Sequence, residues 1–271
     1  MPPKPAASKI TEMTISTTSS GWSRRIFLVC ATRLVCATSL AFSAEPPANL
    51  VRLAAGRETA TAAARANYTY KQQVLFEELS KNGVRVGEYK ELREVIFSPS
   101  GERTEQMTGK PSNSLVRIKL TDEDFRDMRE VQPMLLTTET LRLYQVEQRG
   151  EEKVGNLDCW VLSIRPRQIL DGQRLFEGLL WIEKTSFSTI RSEGRAMPQI
   201  FKKKEENLFP RFTTIRLEME GGFWFPAVTF SDDTLPFASG PIRQRIRITY
   251  SGYKRFTADS SIKFGAEAIP Q

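Results

Sequence analysis

The chain has 271 residues, of which 40% are hydrophobic and 26% charged, with a formal net charge of +7 and no histidine. That length allows one large domain or two small ones. Without histidine there is no Ser–His or Cys–His nucleophile pair, the commonest general base is missing, and nearly all catalytic zinc sites are excluded.

Part of the positive charge is local. Lys4, Lys9, Arg24, Arg25 and Arg33, against Glu12, all precede Ala44; taking those five bases and one acid from the totals of 39 and 32 leaves a balance of +3. Acids and bases are interspersed in the remainder, so nucleic acid is not an expected partner.

Met1 to Trp22 is polar and rich in Ser, Thr and Pro; Ser23-Arg24-Arg25-Ile26-Phe27-Leu28 follows, then an apolar stretch to Phe42. With small residues at Ala41 and Ser43, residues 1–43 read as an export signal cleaved near Ser43/Ala44. The S-R-R-x-F-L order resembles the twin-arginine signal, with an ordinary secretory leader as the alternative. Arg33 interrupts the apolar stretch, which is also shorter than the ~20 residues a spanning helix needs. The expected location is the periplasm of a Gram-negative type envelope. Cys30 and Cys36 fall in the leader and leave Cys159 alone, so residues 44–271 are expected to be one domain held by core burial, without an internal disulfide.

Pro46-Pro47 starts a helix over Ala48 to Ala66, with Leu50, Leu53 and Ala54 on one face and Ala60 and Ala64 continuing it. The period then changes to two. Tyr68, Tyr70, Val74 and Phe76 alternate with polar residues, Lys81-Asn82-Gly83 marks a hairpin turn, and Val84 to Phe97 is the return strand. Val116, Ile118 and Leu120 predict a further strand; Thr121-Asp122-Glu123-Asp124 predicts the N-cap and acidic first turn of a helix to about Val131. Trp160, Leu162 and Ile164 mark another apolar face, as do Ile215, Leu217 and Met219, opposite Arg216, Glu218 and Glu220. Ile242, Ile246, Ile248 and Tyr250 alternate with Arg243, Arg245 and Arg247. Strands with one apolar and one charged face describe an antiparallel sheet wetted on one side. About ten or eleven such strands with no long helix between them predict a mainly β (α+β) fold: a curved antiparallel half-open barrel with the two helices covering its concave face.

Chemistry-bearing motifs are sparse. Cys159, beside Trp160 in a strand, reads as an inert buried thiol. Asp232-Asp233 reads as an exposed hairpin tip and Gly221-Gly222 as a turn between strands, not a phosphate loop. No enzyme, metal or cofactor is expected. Phe201-Lys202-Lys203-Lys204 forms a basic loop that would touch an anionic membrane surface, against the plainer reading of a loop solubilised by lysine.

Gly178-Leu179-Leu180-Trp181-Ile182-Glu183, followed by Ile190-Arg191-Ser192-Glu193-Gly194-Arg195, resembles the central hairpin of the periplasmic lipoprotein-carrier proteins. Asn207 to Phe212, Gly222 to Pro226 and Tyr250 to Phe256 resemble longer exported proteins grouped with them. The resemblance spans about residues 67–256. It implies a helix-covered half-barrel whose apolar cavity receives acyl chains, and it includes a relative that serves as a sensor. The expected function is therefore a non-enzymatic binding protein for a lipid or lipoprotein acyl chain, with Trp160, Leu162, Trp181, Phe225 and Tyr250 as cavity residues. The alternative is an envelope sensor or interaction protein whose barrel is plugged by its own helices.

Overall fold

The computed structural model describes residues 45–97, 102–202 and 205–255. The expected export segment, and Lys203 and Lys204 of the basic loop, lie outside the described residues.

Eleven strands form one antiparallel sheet. They are β1 (Tyr68–Leu79), β2 (Arg85–Phe97), β3 (Arg103–Met107), β4 (Ser112–Asn113), β5 (Tyr144–Val154), β6 (Leu157–Pro166), β7 (Leu175–Glu183), β8 (Thr189–Met197), β11 (Phe212–Glu218), β12 (Trp224–Leu235) and β13 (Ile242–Arg255). The order is β3-β2-β1-β13-β12-β11-β8-β7-β6-β5, with β4 beside β2. The last strand thus pairs with the first in mid-sheet, and β3 and β5 are the edges. They do not pair with each other, so the barrel is open. Between β8 and β11 a two-stranded hairpin stands apart, β9 (Ile200–Lys202) and β10 (Glu205–Asn207). Phe201 and Lys202 of the segment expected as a basic loop lie in β9. The Gln199 side chain clamps the base of the hairpin, donating to Phe209 O at 2.9 Å and accepting from Phe209 N at 3.0 Å.

Two helical segments cover one face of the sheet. Helix α1 (Leu50–Arg65) buries Leu50, Ala54, Ala55, Glu58 and Thr61. The buried row continues through Glu58 and Thr61, not through Ala60, which is exposed. Helix α2 (Asp122–Arg126) begins at the expected N-cap: Thr121 Oγ1 accepts from Asp124 N, and the Asp124 carboxylate accepts from Thr121 N at 2.7 Å. It runs on into a π-helical turn, Asp127–Val131.

Leu50, Ala54, Val131, Leu136, Trp160, Leu162, Phe176, Leu180 and Ile182 belong to one core cluster under α1. Tyr70, Val74, Phe76, Tyr89, Val95, Met128, Ile246, Ile248 and Tyr250 form a second under the π turn. Burial at roughly 25 cal/mol per Å² of apolar area is what holds this face to its helices. Phe176 lies over the cross-strand pair Gly178 and Gly194; a Cβ on either glycine would meet its ring within 2.8 Å and the opposing strand's carbonyl at 2.1 Å, so only glycine fits.

Four expectations about faces need correction. Residues 116–120 form no strand, because the buried Glu78 carboxylate accepts the backbone N–H groups of Val116 (3.0 Å), Arg117 (2.9 Å) and Ile118 (3.3 Å) in place of a strand partner. In β11 the alternation is inverted: Arg216 is buried and Leu217 is 36% exposed, since Glu58 supplies the counter-charge that lets the arginine turn inward. Asp232 lies within β12, not at a hairpin tip, and bridges Arg243 and Arg245. The sheet's outer face is also not uniformly wet. Cys159, Val161, Trp181 and Ile190 form a third buried cluster there, with Trp224 and Leu157 packed against it. Cys159 is fully buried in it, and desolvation pushes its thiol up to about 11.

Candidate ligand cavity

A cavity of about 640 Å³ opens between the sheet and the segment that runs from Arg117 through α2 to Gln132. The sheet supplies Phe76 of β1, Ile242, Gln244 and Ile246 of β13, Phe212 of β11 and Ala196 of β8. The cover supplies Ile118, Leu120, Met128 and Gln132, and the connections before β11 and β13 close the sides with Phe209 and Phe237. Polar residues share these walls: Thr121, Glu123, Asp124 and Asp127 line the space beside the apolar residues, and the exposed Arg117 and Lys119 stand at its edge. Its volume is that of a small-molecule pocket, and its lining combines an apolar floor with charged groups at the cover.

The cover is fastened by side chains reaching from elsewhere to backbone carbonyls at the end of the helical segment. Such carbonyls have no partner inside the helix and must find one outside it. Gln72 Nε2 donates to Met128 O (3.3 Å), Arg103 to Arg129 O (2.7 Å), Thr214 Oγ1 to Gln132 O (2.9 Å), Arg65 to Pro133 O (3.3 Å) and Arg216 to Met134 O (2.7 Å). On the other side Arg117 donates to Gly240 O at 3.1 Å, which ties the cover to the turn before β13. Asp127 and Arg174 form a bidentate pair at 2.9 and 2.6 Å, both nearly fully buried, and the Arg174 guanidinium lies 3.8 Å over the Phe209 ring. Burial pushes the Asp127 carboxyl up to about 6, and contact with Arg174 offsets only part of that.

Arg216 joins this cover to α1. Its guanidinium donates to both Glu58 oxygens (3.0 and 2.8 Å) as well as to Met134 O, and Glu58 also accepts from Thr189 N at 3.3 Å. The helix is thereby pinned across β8 and β11, and its side of the sheet is filled by protein.

None of the five residues expected to line a cavity lines this one. Trp160 and Leu162 sit in the cluster under α1, with Trp160 stacked on Phe187 at 5.7 Å. Trp181 is on the opposite face of the sheet, beneath the Arg191 guanidinium and donating to Glu152 at 2.9 Å. Phe225 meets Tyr68 edge-on at 5.1 Å, and Tyr250 packs beside Tyr70 at 6.2 Å. The structure thus brings Trp160 and Leu162 together and separates the other three from them. The cavity residue with a signal in the sequence is Gln244, a polar side chain in the apolar row between Ile242 and Ile246.

Fold and cavity together describe an open, helix-covered antiparallel half-barrel. No family model matches the chain, and no curated protein matches it. Among solved structures, it is similar to a DUF1329 family protein from Desulfovibrio piger, at 13% identity over 80% of this chain and 95% of that one, with a TM-score of 0.40. A domain described as an outer membrane lipoprotein-sorting protein from Vibrio parahaemolyticus is similar at 11% identity, over 76% and 94% of the two chains, with a TM-score of 0.35. A LolA superfamily protein from Nitrosomonas europaea follows at 12%, 74% and 94%, with a TM-score of 0.32. At such scores the likeness concerns the run of the backbone alone.

Proposed function

We propose that residues 44–271 act in the periplasm as a non-enzymatic binding protein that takes a lipid or lipoprotein acyl chain into the cavity beneath α2. The observation that carries this reading is the 640 Å³ space walled by Phe76, Met128, Leu120, Phe212, Ile242 and Ile246. Each methylene buried there contributes about 0.8 kcal/mol, so a chain of ten carbons gains enough to offset the freedom it loses. Export through the signal in residues 1–43 would place the domain beside such ligands, and the Phe201–Lys204 hairpin would approach an anionic membrane surface.

Native mass spectrometry of the protein purified from the periplasm tests this. Co-purifying lipid, released on unfolding, is the expected result. A second reading has one observation in its favour: the Glu58–Arg216 pair fastens α1 over a packed core cluster. In that case the domain is an envelope sensor or interaction protein, and it would emerge from the same measurement with no lipid bound.

A further inference from the structure

The residues around the cavity are graded by exposure. Phe76, Met128, Phe212, Ile242 and Ile246 are buried at its floor, whereas the exposed residues among those that line it are Arg117, Lys119 and Ser239. All three carry hydrogen-bond donors, two are cations and none is an acid. An apolar floor that opens through a cationic edge has the polarity of an anionic amphiphile, with the chain inside and the charge left at the mouth, where it keeps its contact with water.

Three acids also line the space, and each has partners of its own. Asp127 is paired with Arg174, and Asp124 accepts from Thr121 N and Thr121 Oγ1 at 2.7 and 2.9 Å in the cap of α2. Glu123 is held below the ordinary carboxylate range by its own backbone N–H, with Arg126 and Arg174 as further cations near it. The two cations at the edge have no such complement. Arg117 donates to the carbonyls of Ser239, Gly240 and Pro241, which fixes its guanidinium at the turn before β13, and no carboxylate among the described residues pairs with it. The Lys119 side chain has no hydrogen bond or ion pair among the described residues.

We propose that Arg117 and Lys119 bind the oxyanion head, a carboxylate or phosphate, of a single-chain amphiphile whose alkyl chain enters the cavity, so that the site selects anionic over neutral ligands. The proposal rests on the acyl-binding reading and adds the charge of the head and its place at the mouth. A guanidinium and an ammonium are the side chains that hold such oxyanions, the first through its planar fork and the second as a point charge.

The probes are decanoate, decyl phosphate and 1-decanol, titrated by calorimetry at neutral pH and low salt into wild type, Lys119→Gln, Lys119→Arg and Leu120→Trp. Partitioning from water favours the neutral alcohol, so tighter binding of both anions, expected by about threefold or more, cannot come from hydrophobicity. Lys119→Gln should weaken both anions by about threefold or more and leave the alcohol unchanged, and Lys119→Arg should retain the anions. Raised salt should act on wild type as the glutamine does, because the contact lies at the surface. The order of decanoate and decyl phosphate tells which oxyanion the mouth fits better, and either order supports the proposal. A smaller margin over the alcohol, or a smaller loss in Lys119→Gln, overturns the headgroup site and leaves acyl binding intact. Leu120→Trp, which fills the space, should bind none of the three; anions that still bind it would show a charged surface acting without the cavity and overturn the proposal as well. If no probe binds the wild type, the acyl-binding reading fails with it.

Discussion

Glu58 on α1 and Arg216 on β11, 158 residues apart in sequence, meet at 2.8 Å with both side chains 1% exposed. Removing one partner leaves a buried charge alone, so Glu58→Ala should cost about 3–5 kcal/mol in urea denaturation. The double replacement Glu58→Leu with Arg216→Met should recover most of that loss, because an apolar pair of similar volume needs no counter-charge. A Glu58→Ala cost below about 1 kcal/mol would mean that α1 is not held by this pair.

Glu78 organises the cover by a different device. Its single carboxylate accepts three consecutive backbone N–H groups, and the segment it holds ends at the cap of α2. Glu78→Ala should destabilise by about 2 kcal/mol, less than three buried bonds would imply because Val116 and Arg117 are exposed and water can replace the carboxylate. Amide hydrogen exchange at residues 116–118 should accelerate in the variant. Unchanged exchange there would show that the segment keeps its shape without Glu78.

Asp127 gives the cavity wall a pH dependence. Its carboxyl is raised from its ordinary 3.8 to about 6 in the folded protein, so between those values the native state binds the extra proton. Stability from this group is therefore fully present below about pH 4 and is lost as pH rises through about 6, by at most about 3 kcal/mol. The difference in unfolding free energy between wild type and Asp127→Asn isolates the effect, since it removes the carboxylates common to both. That difference should decline from pH 4 to 7. A rise over the same range would show that Arg174 outweighs burial.

On β13 the row of faces can be tested residue against residue. Arg245 bridges Asp232 and Glu77 at the surface, whereas Ile246 is 4% exposed beside Phe76. Arg245→Ser should change stability by less than about 0.5 kcal/mol, and Ile246→Ser by several, through lost apolar volume and an unsatisfied hydroxyl. Similar costs at the two positions would contradict the assigned burial.

These cases also show what a sequence discloses. The β1–β2 hairpin, the cap at Thr121 and the apolar row of β13 are local patterns, fixed by period and by neighbours a few residues away, and the structure has them where the pattern places them. The inversion of β11 was not legible, because the residue that admits Arg216 to the interior lies on a helix at the other end of the chain. Residues 116–120 have strand periodicity, yet the acceptor for their amides is a side chain of β1. Trp181 shares an apolar motif with Leu180 and Ile182, but alternation sends it to the other face, where Cys159 and Val161 have built a second core. The candidate site suffers most from this. A cavity is a space left between distant elements, and the alternation along a single strand does not show where one opens. Gln244 breaks an apolar row and is the one legible trace.

The most direct test of the account is the binding of a dansyl-labelled undecanoic acid, followed by fluorescence, to wild type, Leu120→Trp and Leu162→Ala. Leu120 lines the cavity and Leu162 lies in the core under α1. Saturable one-to-one binding is predicted for wild type, with affinity kept in Leu162→Ala despite its lower stability and lost in Leu120→Trp. Binding that is absent from wild type, or that Leu162→Ala abolishes while Leu120→Trp leaves it unchanged, would contradict the assignment of the acyl site to the cavity beneath α2.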